Sequence, residues 1–343
     1  MNENLSAARK AKNDEFYTQL GDIENELRHY RQHFRDKIVY CNCDDPRVSN
    51  FFHYFSHNFH WLGLRKLITT CYKNQEPDLF SRHDAERAIR LDYDGFRDGE
   101  TVPRPEDIGI TQLEGDGDFR SAECIEILKQ ADIVVTNPPF SLFRDYVAQM
   151  IEYDKKFLII GNKNAITYKE IFPLISGNYL WVGNTSMSQD LLFDVPPDYA
   201  KELTCTKKER SAYKLIDGVV KGRSQSIWFT NLDHKKRHEE LILYRSYTPE
   251  DYPTYDNYDA IEVSKTADIP TDWPGAMGVP ITFLDKYNPD QFEILGVTDR
   301  DNNSGLKTRE YTTQDVSNPG DLNRRATSNS NFGIFGILKS LDL

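Results

Sequence analysis

The sequence predicts an α/β fold with a doubly wound sheet of parallel strands, and two observations support this prediction. Short apolar runs rich in β-branched residues alternate with helical periodicity, at residues 37–43, 66–72, 131–136 and 156–161. Such alternation implies right-handed βαβ units. Beyond residue 175 the strands become shorter and aromatic residues crowd the turns. We therefore expect two regions, 1–175 and 176–343, with some elements of the second packing back on the first.

Local signals place the elements between these strands. Ser49 has a side chain suited to cap a helix over residues 50–59, because its oxygen can accept a hydrogen bond from a free backbone N–H. The other predicted elements are a loop entering a helix over 13–30, a hairpin over 91–102 built on Gly95 and Gly99, a short strand at 110–113, and helices over 121–130 and 141–153.

Composition limits the classes of function. A chain of 343 residues is long enough to bury a large core. Its net charge of −12 and mean hydropathy of −0.64 are typical of a soluble globular protein. Because the chain is acidic, any surface that binds nucleic acid must be a local basic cleft. No apolar run approaches the roughly twenty residues of a membrane helix, and the N-terminus is too polar for a signal peptide. We expect no membrane association and a cytoplasmic location.

The cysteines narrow the chemistry further. No C-x-x-C pair occurs, which argues against a structural zinc site or a disulfide framework. None of the cysteines follows a proline, whereas methylation of cytosine C5 needs a thiolate that is usually presented as Pro-Cys. The five residues are Cys41, Cys43, Cys71, Cys124 and Cys205.

The most informative motif is Asn137-Pro138-Pro139-Phe140, here called the NPPF loop, which follows the apolar run at 131–136. Two prolines end the strand in a rigid loop, and ligands bind at the carboxyl ends of strands in open α/β sheets. The loop offers carbonyl acceptors, to which Asn137 adds a side-chain oxygen and Phe140 a flat apolar face. These groups suit an exocyclic amino group on a planar ring, such as adenine N6, and predict an amino-methyltransferase.

The motif alone leaves the methyl acceptor open between a DNA base, an RNA base and a protein glutamine amide. An adenine inside a duplex would have to be flipped out of the stack. Phe140 would then stack on it, while Asn137 Oδ1 and the Pro138 carbonyl accept the two N6 hydrogens. We expect a direct in-line transfer, with no metal and no covalent intermediate.

Two other predicted loops are candidates for holding the methyl donor, S-adenosylmethionine. Gly117 lets the backbone approach closely, and the pair Asp118-Phe119 can accept a hydrogen bond from the donor's adenine N6 and cover its ring. Cys43-Asp44-Asp45 follows the first strand, where a glycine-rich loop would be expected, but it contains no G-x-G.

The same acids allow an alternative from another class, a metal-dependent hydrolase. Its ligands would be Asp44, Asp45, Asp116 and Asp118. This alternative leaves the NPPF loop without a role, and no histidine lies at ligand spacing from these acids.

Local basic clusters are candidates for contacts with DNA phosphates. Two lie in the C-terminal region, Lys207-Lys208 and Lys235-Lys236-Arg237. We expect them to hold double-stranded DNA through sequence-independent contacts, while base-edge contacts in the same region provide sequence preference.

Several longer strings resemble the modification methylase EcoRI family of adenine-specific DNA methyltransferases. They are KNDEFYTQ, CNCDDPRVSNFF, GDGDFRS, DIVVTNPPFSLFR and KKFLII, followed by YDNYDAI and MGVPITFLDKY in the C-terminal region. Departures are largest at 182–225 and after residue 297. The family's DNA-reading contacts and recognition sequence are therefore not carried over.

The resemblance implies a Rossmann-like S-adenosylmethionine-dependent methyltransferase sheet with a C-terminal target-recognition region. It also implies adenine N6 in double-stranded DNA as acceptor and a restriction-modification context, in which a cognate endonuclease acts on the same site without a stable complex. Phe16, Tyr17 and Thr18 match the segment that closes over the methionine end of the donor. The CDDP string takes the place of a glycine-rich loop, so the implied cofactor-binding residues further include Cys43, Asp44, Asp45, Asp118, Phe119 and Asn137.

Overall fold

The helices and strands are described here from a computed structural model that covers residues 18–72, 87–95, 102, 104–189, 191–195, 197–209, 212–255, 258–297, 308 and 336–340. The α-helices are α1 (Leu20–Leu27), α2 (Arg31–Phe34), α3 (Asn50–His57), α4 (Phe59–Leu62), α5 (Pro105–Ile108), α6 (Ala122–Gln130), α7 (Phe143–Glu152), α8 (Phe172–Ser176) and α9 (Pro197–Thr206). The strands are β1 (Ile38–Cys41), β2 (Lys66–Cys71), β3 (Ile89–Tyr93), β4 (Ile110–Gln112), β5 (Ile133–Thr136), β6 (Lys156–Asn162), β7 (Trp181–Val182), β8 (Leu191–Asp194), β9 (Tyr213–Ile216), β10 (Val219–Ser224), β11 (Ser226–Thr230), β12 (Ile261–Glu262), β13 (Met277–Val279), β14 (Phe292–Val297) and β15 (Gly336–Ser340).

The chain consists of two compact units. The first comprises Met1–Lys163 and Gly183–Leu232, and the second comprises Asn164–Val182 and Asp233–Leu343. The predicted division into a catalytic region, 1–175, and a recognition region, 176–343, concerns roles and stays a prediction.

The first unit contains a large sheet with the strand order β4-β3-β2-β1-β5-β6-β11. Its four central strands, β2, β1, β5 and β6, are parallel to their neighbours in that group. The fold is thus mixed α/β with a parallel sheet centre, as the alternation of apolar runs and helices predicts.

The expectation of parallel pairing is wrong at the edges of this sheet. β3 and β4 pair antiparallel, and β11 runs antiparallel to β6. For β3 the sequence contains a reason, since its residues alternate between buried and half-buried, whereas β11 is buried throughout and gives no such signal. Antiparallel edge strands show this alternation, whereas parallel strands at a sheet centre are buried on both faces, as β5 is.

Strand β1 lies between β2 and β5, so successive strands leave it in opposite directions along the sheet. The loops that follow β1 and β5 are therefore neighbours at the same carboxyl edge. Such a switch in strand order opens a crevice where ligands bind in α/β proteins. It brings the NPPF loop next to the loop 42–46.

Helices cover both faces of the sheet. On one face α1 provides Ile23 and Leu27, and α3 provides aromatic residues that pack on alternate strand residues. Phe51 of α3 meets Trp228 edge to face at 6.2 Å between ring centroids. On the other face Phe143 of α7 packs on Phe229 at 5.1 Å. Strands buried from both sides explain the near-continuous apolar runs of the sequence.

The predicted Ser49 cap is confirmed, because Ser49 accepts a hydrogen bond from the backbone N–H of Phe52. Ser121, which was predicted only as the start of a helix, accepts one from Cys124. Half of the hairpin predicted over 91–102 lies outside the described residues. Of that segment, residues up to Tyr93 belong to β3, which begins at Ile89.

A second, antiparallel sheet of the first unit has the order β8-β10-β9. The second unit contains a sheet of order β12-β13-β15-β14. Within the described parts of the chain, no helix is long and apolar enough to cross a membrane.

Candidate active site

The NPPF loop is held rigidly at the end of β5. Thr136 is fully buried, and its hydroxyl donates to the backbone carbonyl of Asn42 at the end of β1. Pro138 is buried, whereas Asn137 and Phe140 are half-buried. Phe140 begins a 3-10 turn that leads into α7. The loop thus keeps its backbone fixed while two side chains remain accessible.

A shallow cleft opens beside Asn137 and Phe140, with about 300 Å³ of empty space that includes open solvent. Five of its lining residues are apolar, contributed by the NPPF loop, β6 and β8. Polar groups come from α1, from the segment before it, and from the turn between β10 and β11. The lining residues are Thr18, Asp22, Asn137, Phe140, Ile160, Leu191, Leu192, Phe193, Ser224 and Ser226. An apolar cleft with a few convergent polar groups is the usual form of a small-molecule or base-binding site.

Among the described residues that line this pocket, Asp22 has the only ionisable side chain. Burial raises its pKa from 3.8 to about 6. Within the described chain, no hydrogen bond or ion pair reaches its carboxylate. Desolvation of a charge without a nearby cation explains the direction of the shift.

Glu26 fixes α1, and therefore Asp22, against the pocket. It lies one turn after Asp22 and is fully buried, and its carboxylate accepts the backbone N–H groups of Asn184 and Thr185, both at 2.6 Å. Tyr30 donates to the same carboxylate at 2.8 Å. These bonds tie α1 to the segment that leads into β8.

Phe193 of β8 reaches the pocket because its cross-strand partner is a glycine. In the register of the second sheet Phe193 lies opposite Gly222. A Cβ at Gly222 would lie 2.2 Å from the Phe193 ring, so any side chain there would displace the ring. Gly222 therefore sets the position of an aromatic wall of the pocket.

The loop after β1 adjoins the NPPF loop through Asn42. Tyr146 of α7 donates to Asn42 Oδ1 at 2.5 Å, and both residues are buried. Tyr146 also meets Phe119 edge to face at 5.0 Å between ring centroids. One buried tyrosine thus links the loop 42–46 and the 114–119 loop beneath the sheet edge.

Arginines bind two of the predicted acidic residues. Arg47 forms a bidentate pair with Asp45, which is 4% exposed. Arg120 forms the same kind of pair with Asp118, and this hydrogen bonding lowers the pKa of the Asp118 carboxyl. In both cases the arginine follows two residues after the acid and also donates its backbone N–H.

Backbone conformation limits which residues fit at this edge. Gly117 has φ +81°, and a Cβ there would lie 2.4 Å from the carbonyl oxygen of Cys71. The close neighbour of Gly117 is therefore the end of β2, and the expected approach of its backbone to the methyl donor stays a prediction. Cys43 has φ 84°, an uncommon value for a residue with a side chain. Asp44 is half-buried, and its carboxylate accepts from Ser49 at 3.4 Å.

The structure brings most of the predicted site residues to one sheet edge. Thr18, Asn137 and Phe140 share the pocket, and Asn50 donates to the Thr18 carbonyl at 2.7 Å. Phe16 and Tyr17 lie outside the described residues. Phe119 is 7% exposed beneath Tyr146, so little of its ring is open to a ligand. The roles of these residues stay predictions.

The hydrolase alternative finds no support in the arrangement of the acids. In the described residues, no three His, Cys, Asp or Glu side chains form a group that could hold a metal ion. Asp45 and Asp118 already have arginine partners.

The two predicted basic clusters differ in exposure. Lys207 and Lys208 are exposed just beyond α9, and Lys235 is exposed as well. Lys236 pairs with Asp285 at 3.7 Å, with only 16% of its side chain exposed. Arg237 lies 3.7 Å above the Trp181 ring and donates to Asn178 at 2.8 Å.

Sequence reasoning missed several residues of the pocket and its frame. Asn42 and Ile160 lie inside strings that carry the family resemblance, and Asp22 and Tyr146 lie inside predicted elements, so their positions could have been considered. The others come from distant segments with no local signal, and they are Leu191, Leu192, Phe193, Ser224 and Ser226.

Known proteins similar to the chain agree with one another. The family model for adenine-specific methyltransferase EcoRI matches residues 4–336. The chain is 50% identical over 306 residues to Type II methyltransferase M.EcoRI of Escherichia coli, which covers 88% of this chain and 92% of that protein. It is 40% identical over 299 residues to Type II methyltransferase M.MgeORF184P of Mycoplasma genitalium, covering 85% of each chain. Type II methyltransferase M.MpnI of Mycoplasma pneumoniae is 39% identical over 297 residues, covering 85% and 84%. No solved structure gives a significant match.

Proposed function

The chain belongs to the adenine-specific methyltransferase EcoRI family, and from this membership we propose that it methylates N6 of a flipped adenine at specific sites in double-stranded DNA. The observation that supports the proposal most directly is the NPPF loop at the carboxyl end of β5, with Asn137 and Phe140 lining a pocket. We further propose that the central sheet is the Rossmann-like sheet of S-adenosylmethionine-dependent methyltransferases.

The residues of the loops 42–46 and 114–119, here called the β1 side, suit S-adenosylmethionine. When bound, this donor supplies an electrophilic methyl group on a sulfonium centre. Asp44 and Asp118 offer carboxylate acceptors for its hydroxyl and amino hydrogens, and the Arg120 pair keeps Asp118 ionised. The Asp45–Arg47 pair would hold the shape of the CDDP loop rather than bind the donor directly.

The pocket on the other side of Asn137 suits the target base. Phe140 and Phe193 offer aromatic surfaces, and Ile160 and Leu191 add apolar lining. Unstacking an adenine from a duplex costs a few kcal/mol, which stacking in such a pocket helps to offset.

Three groups of the chain would act on the amino nitrogen. Asn137 Oδ1 and the Pro138 carbonyl accept the two N6 hydrogens, which draws the nitrogen lone pair out of conjugation and orients it. Asp22, when ionised, stabilises the positive charge that N6 acquires and accepts the proton that N6 then releases. Catalysis on this scheme comes from positioning and electrostatics.

The proposal extends to the biological setting. We propose that residues 176–343 contribute the target-recognition region, and the clustering of Gly183–Leu232 with the first unit fits elements that pack back on the catalytic region. Lys207, Lys208 and Lys235 are exposed enough to meet phosphates. We also propose a cytoplasmic enzyme that works beside an endonuclease of the same specificity without a stable complex.

The direct test is incubation with labelled S-adenosylmethionine and plasmid DNA, followed by analysis of the modified base. We expect label in N6-methyladenine at a fixed sequence. Matched reactions with single-stranded RNA of the same sequence and with a glutamine-containing peptide separate the other acceptors. Label in RNA or peptide but not in plasmid DNA would overturn the proposal.

A further inference from the structure

The hairpin of β9 and β10 exposes aliphatic side chains at its tip. Leu215, Ile216 and Val219 are 48%, 42% and 54% exposed. The connecting residues, Asp217 and Gly218, both have positive φ, at 50° and 78°. A tight two-residue turn of this kind gives a stiff hairpin.

One face of the hairpin combines this apolar tip with basic residues. Ile216 pairs with Val219 across the hairpin, and Lys214 pairs with Lys221 two residues further from the tip. Residues two apart on a strand share a face, so these four side chains and Arg223 lie on the same side. Two lysines directly opposite each other repel, and an anion beside them relieves that repulsion.

The charge of this segment is opposite to that of the chain. Residues 207–223 include six Lys and Arg residues against two Asp and Glu residues, a formal charge of +4 in a chain of −12. Lys207 and Lys208, both exposed, belong to the same segment. Local positive charge on an acidic protein favours a polyanion at this place.

The hairpin is continuous with the pocket. Its base strand β10 ends at Ser224, a pocket residue, and Gly222 of the same strand supports the Phe193 ring. From Val219 to Ser224 the extended strand spans about 17 Å. That length exceeds the depth of either groove of B-DNA, about 8 Å.

We propose that the tip of the β9–β10 hairpin enters the base stack of duplex DNA beside the target adenine, with Ile216 and Val219 as the inserted side chains and Lys214 and Lys221 on the flanking phosphates. The inference rests on the proposed function and deepens it, because it assigns the element that opens the duplex. Proteins that unstack bases insert apolar side chains in this way, and cations beside the insert neutralise the phosphates.

The test compares two DNA substrates with the full-length enzyme, once plasmid mapping has identified the methylated sequence. In one duplex the target adenine is paired, and in the other it faces an abasic site. We expect Ile216→Ser combined with Val219→Ser to lower kcat/KM on the paired duplex by about tenfold or more, since unstacking costs a few kcal/mol. On the abasic duplex, where unstacking costs less, the loss should be at most about threefold.

Ile151→Ser is the matched control, because Ile151 is an aliphatic residue that is 37% exposed on α7, outside the proposed recognition region 176–343. It should leave both rates unchanged. Combining Lys214→Gln with Lys221→Gln should reduce the log–log salt slope of DNA binding by roughly 0.9 for each phosphate that is no longer neutralised.

Full activity of the serine variant on the paired duplex would overturn the proposal, as would an equal loss on both substrates. An unchanged salt slope in the lysine variant would remove the two lysines from the proposed DNA interface. A wild-type enzyme that methylates no DNA would instead refute the proposed function, before any variant is compared.

Discussion

The two sides of the carboxyl edge treat their carboxylates differently. On the β1 side, Asp45 and Asp118 are each paired with an arginine two residues later, and the pKa of Asp118 is lowered. On the pocket side, Asp22 is desolvated and has a pKa raised to about 6. Asp118 is thus held as a stable anion, whereas Asp22 is close to neutralisation.

Under the proposed function, this difference separates a side that binds the donor from a side that reacts. A carboxylate with a fixed charge and fixed position suits a binding loop that must keep its shape. A carboxylate with a pKa near the working pH suits proton exchange with a ligand. The comparison predicts that substitutions on the pocket side change turnover, whereas substitutions on the β1 side change donor affinity.

The largest effect is expected from Asn137→Ala, which removes an acceptor from the pocket side. Turnover should fall by about two to three orders of magnitude, by analogy with deletion of a donor that stabilises a transition state. Donor affinity, measured by calorimetry, should change little. Asn137→Asp keeps an oxygen at the same place and should retain more activity. An alanine variant with more than a tenth of wild-type turnover would remove Asn137 from the chemistry.

Asp22→Asn should lower turnover by about a hundredfold, the low end of the effect of a proton acceptor. The ionised carboxylate is the active form, so wild-type turnover should rise as pH increases through about 6. The Asn variant should lack this rise. A variant that keeps the same pH profile would show that another group titrates.

Stability should respond to Asp22→Asn in the opposite direction. The folded-state pKa of Asp22 lies above its ordinary value of 3.8. Protonation of Asp22 therefore favours the folded state. This contribution to the free energy of unfolding is fully present below pH 3.8 and is lost as pH rises through about 6. Removing the charge should raise Tm at pH 7.5 by more than at pH 5. Equal Tm changes at both pH values would contradict this.

Asp118→Ala tests the β1 side. Loss of one hydrogen bond to a neutral amino group should weaken donor binding by about two- to tenfold. Turnover at saturating donor should be nearly unchanged. Asp107→Ala is the matched control, since Asp107 also pairs with an arginine but lies on the exposed helix α5. Similar affinity losses in both variants would assign Asp118 a general electrostatic role instead of direct binding to the donor.

The smallest effects are expected from two lysines of the second unit, of which Lys235 is exposed and Lys236 is paired. Lys235→Gln should reduce the salt slope of DNA binding by roughly 0.9 with no change in Tm. Lys236→Gln should lower Tm instead, because Asp285, 10% exposed, loses its partner. Salt titrations and thermal melts of both variants check this. An unchanged salt slope for Lys235→Gln would show that Lys235 contacts solvent and not a DNA phosphate.

The sequence anticipated the parts of the fold that depend on local pattern. The central strands, the Ser49 cap, the helix near 121–130 and the NPPF loop are confirmed at their predicted places. The family resemblance is confirmed by the match over residues 4–336. Antiparallel edges and the pocket walls were missed, because pairing direction and the approach of Phe193 to Asn137 depend on distant segments.

The arginine partners of Asp45 and Asp118 illustrate a different limit. Both acids were chosen for their type and place, and the arginine two residues later was in view in each string. An isolated charge and a paired one look alike until the side-chain geometry is known. Asp22 was passed over for the same reason, since the residues that line the pocket with it lie up to 204 positions away in the sequence.

The origin of the pocket walls has a consequence for folding. The pocket combines chain segments around residues 18–22, 137–140, 191–193 and 224–226. Contacts of such large sequence separation form late, because loop closure must precede them. A nascent chain that has not yet emerged to residue 226 would contain the β1 and β5 loops but no closed pocket. Competence for catalysis would therefore require synthesis of the chain beyond residue 226 of its 343 residues.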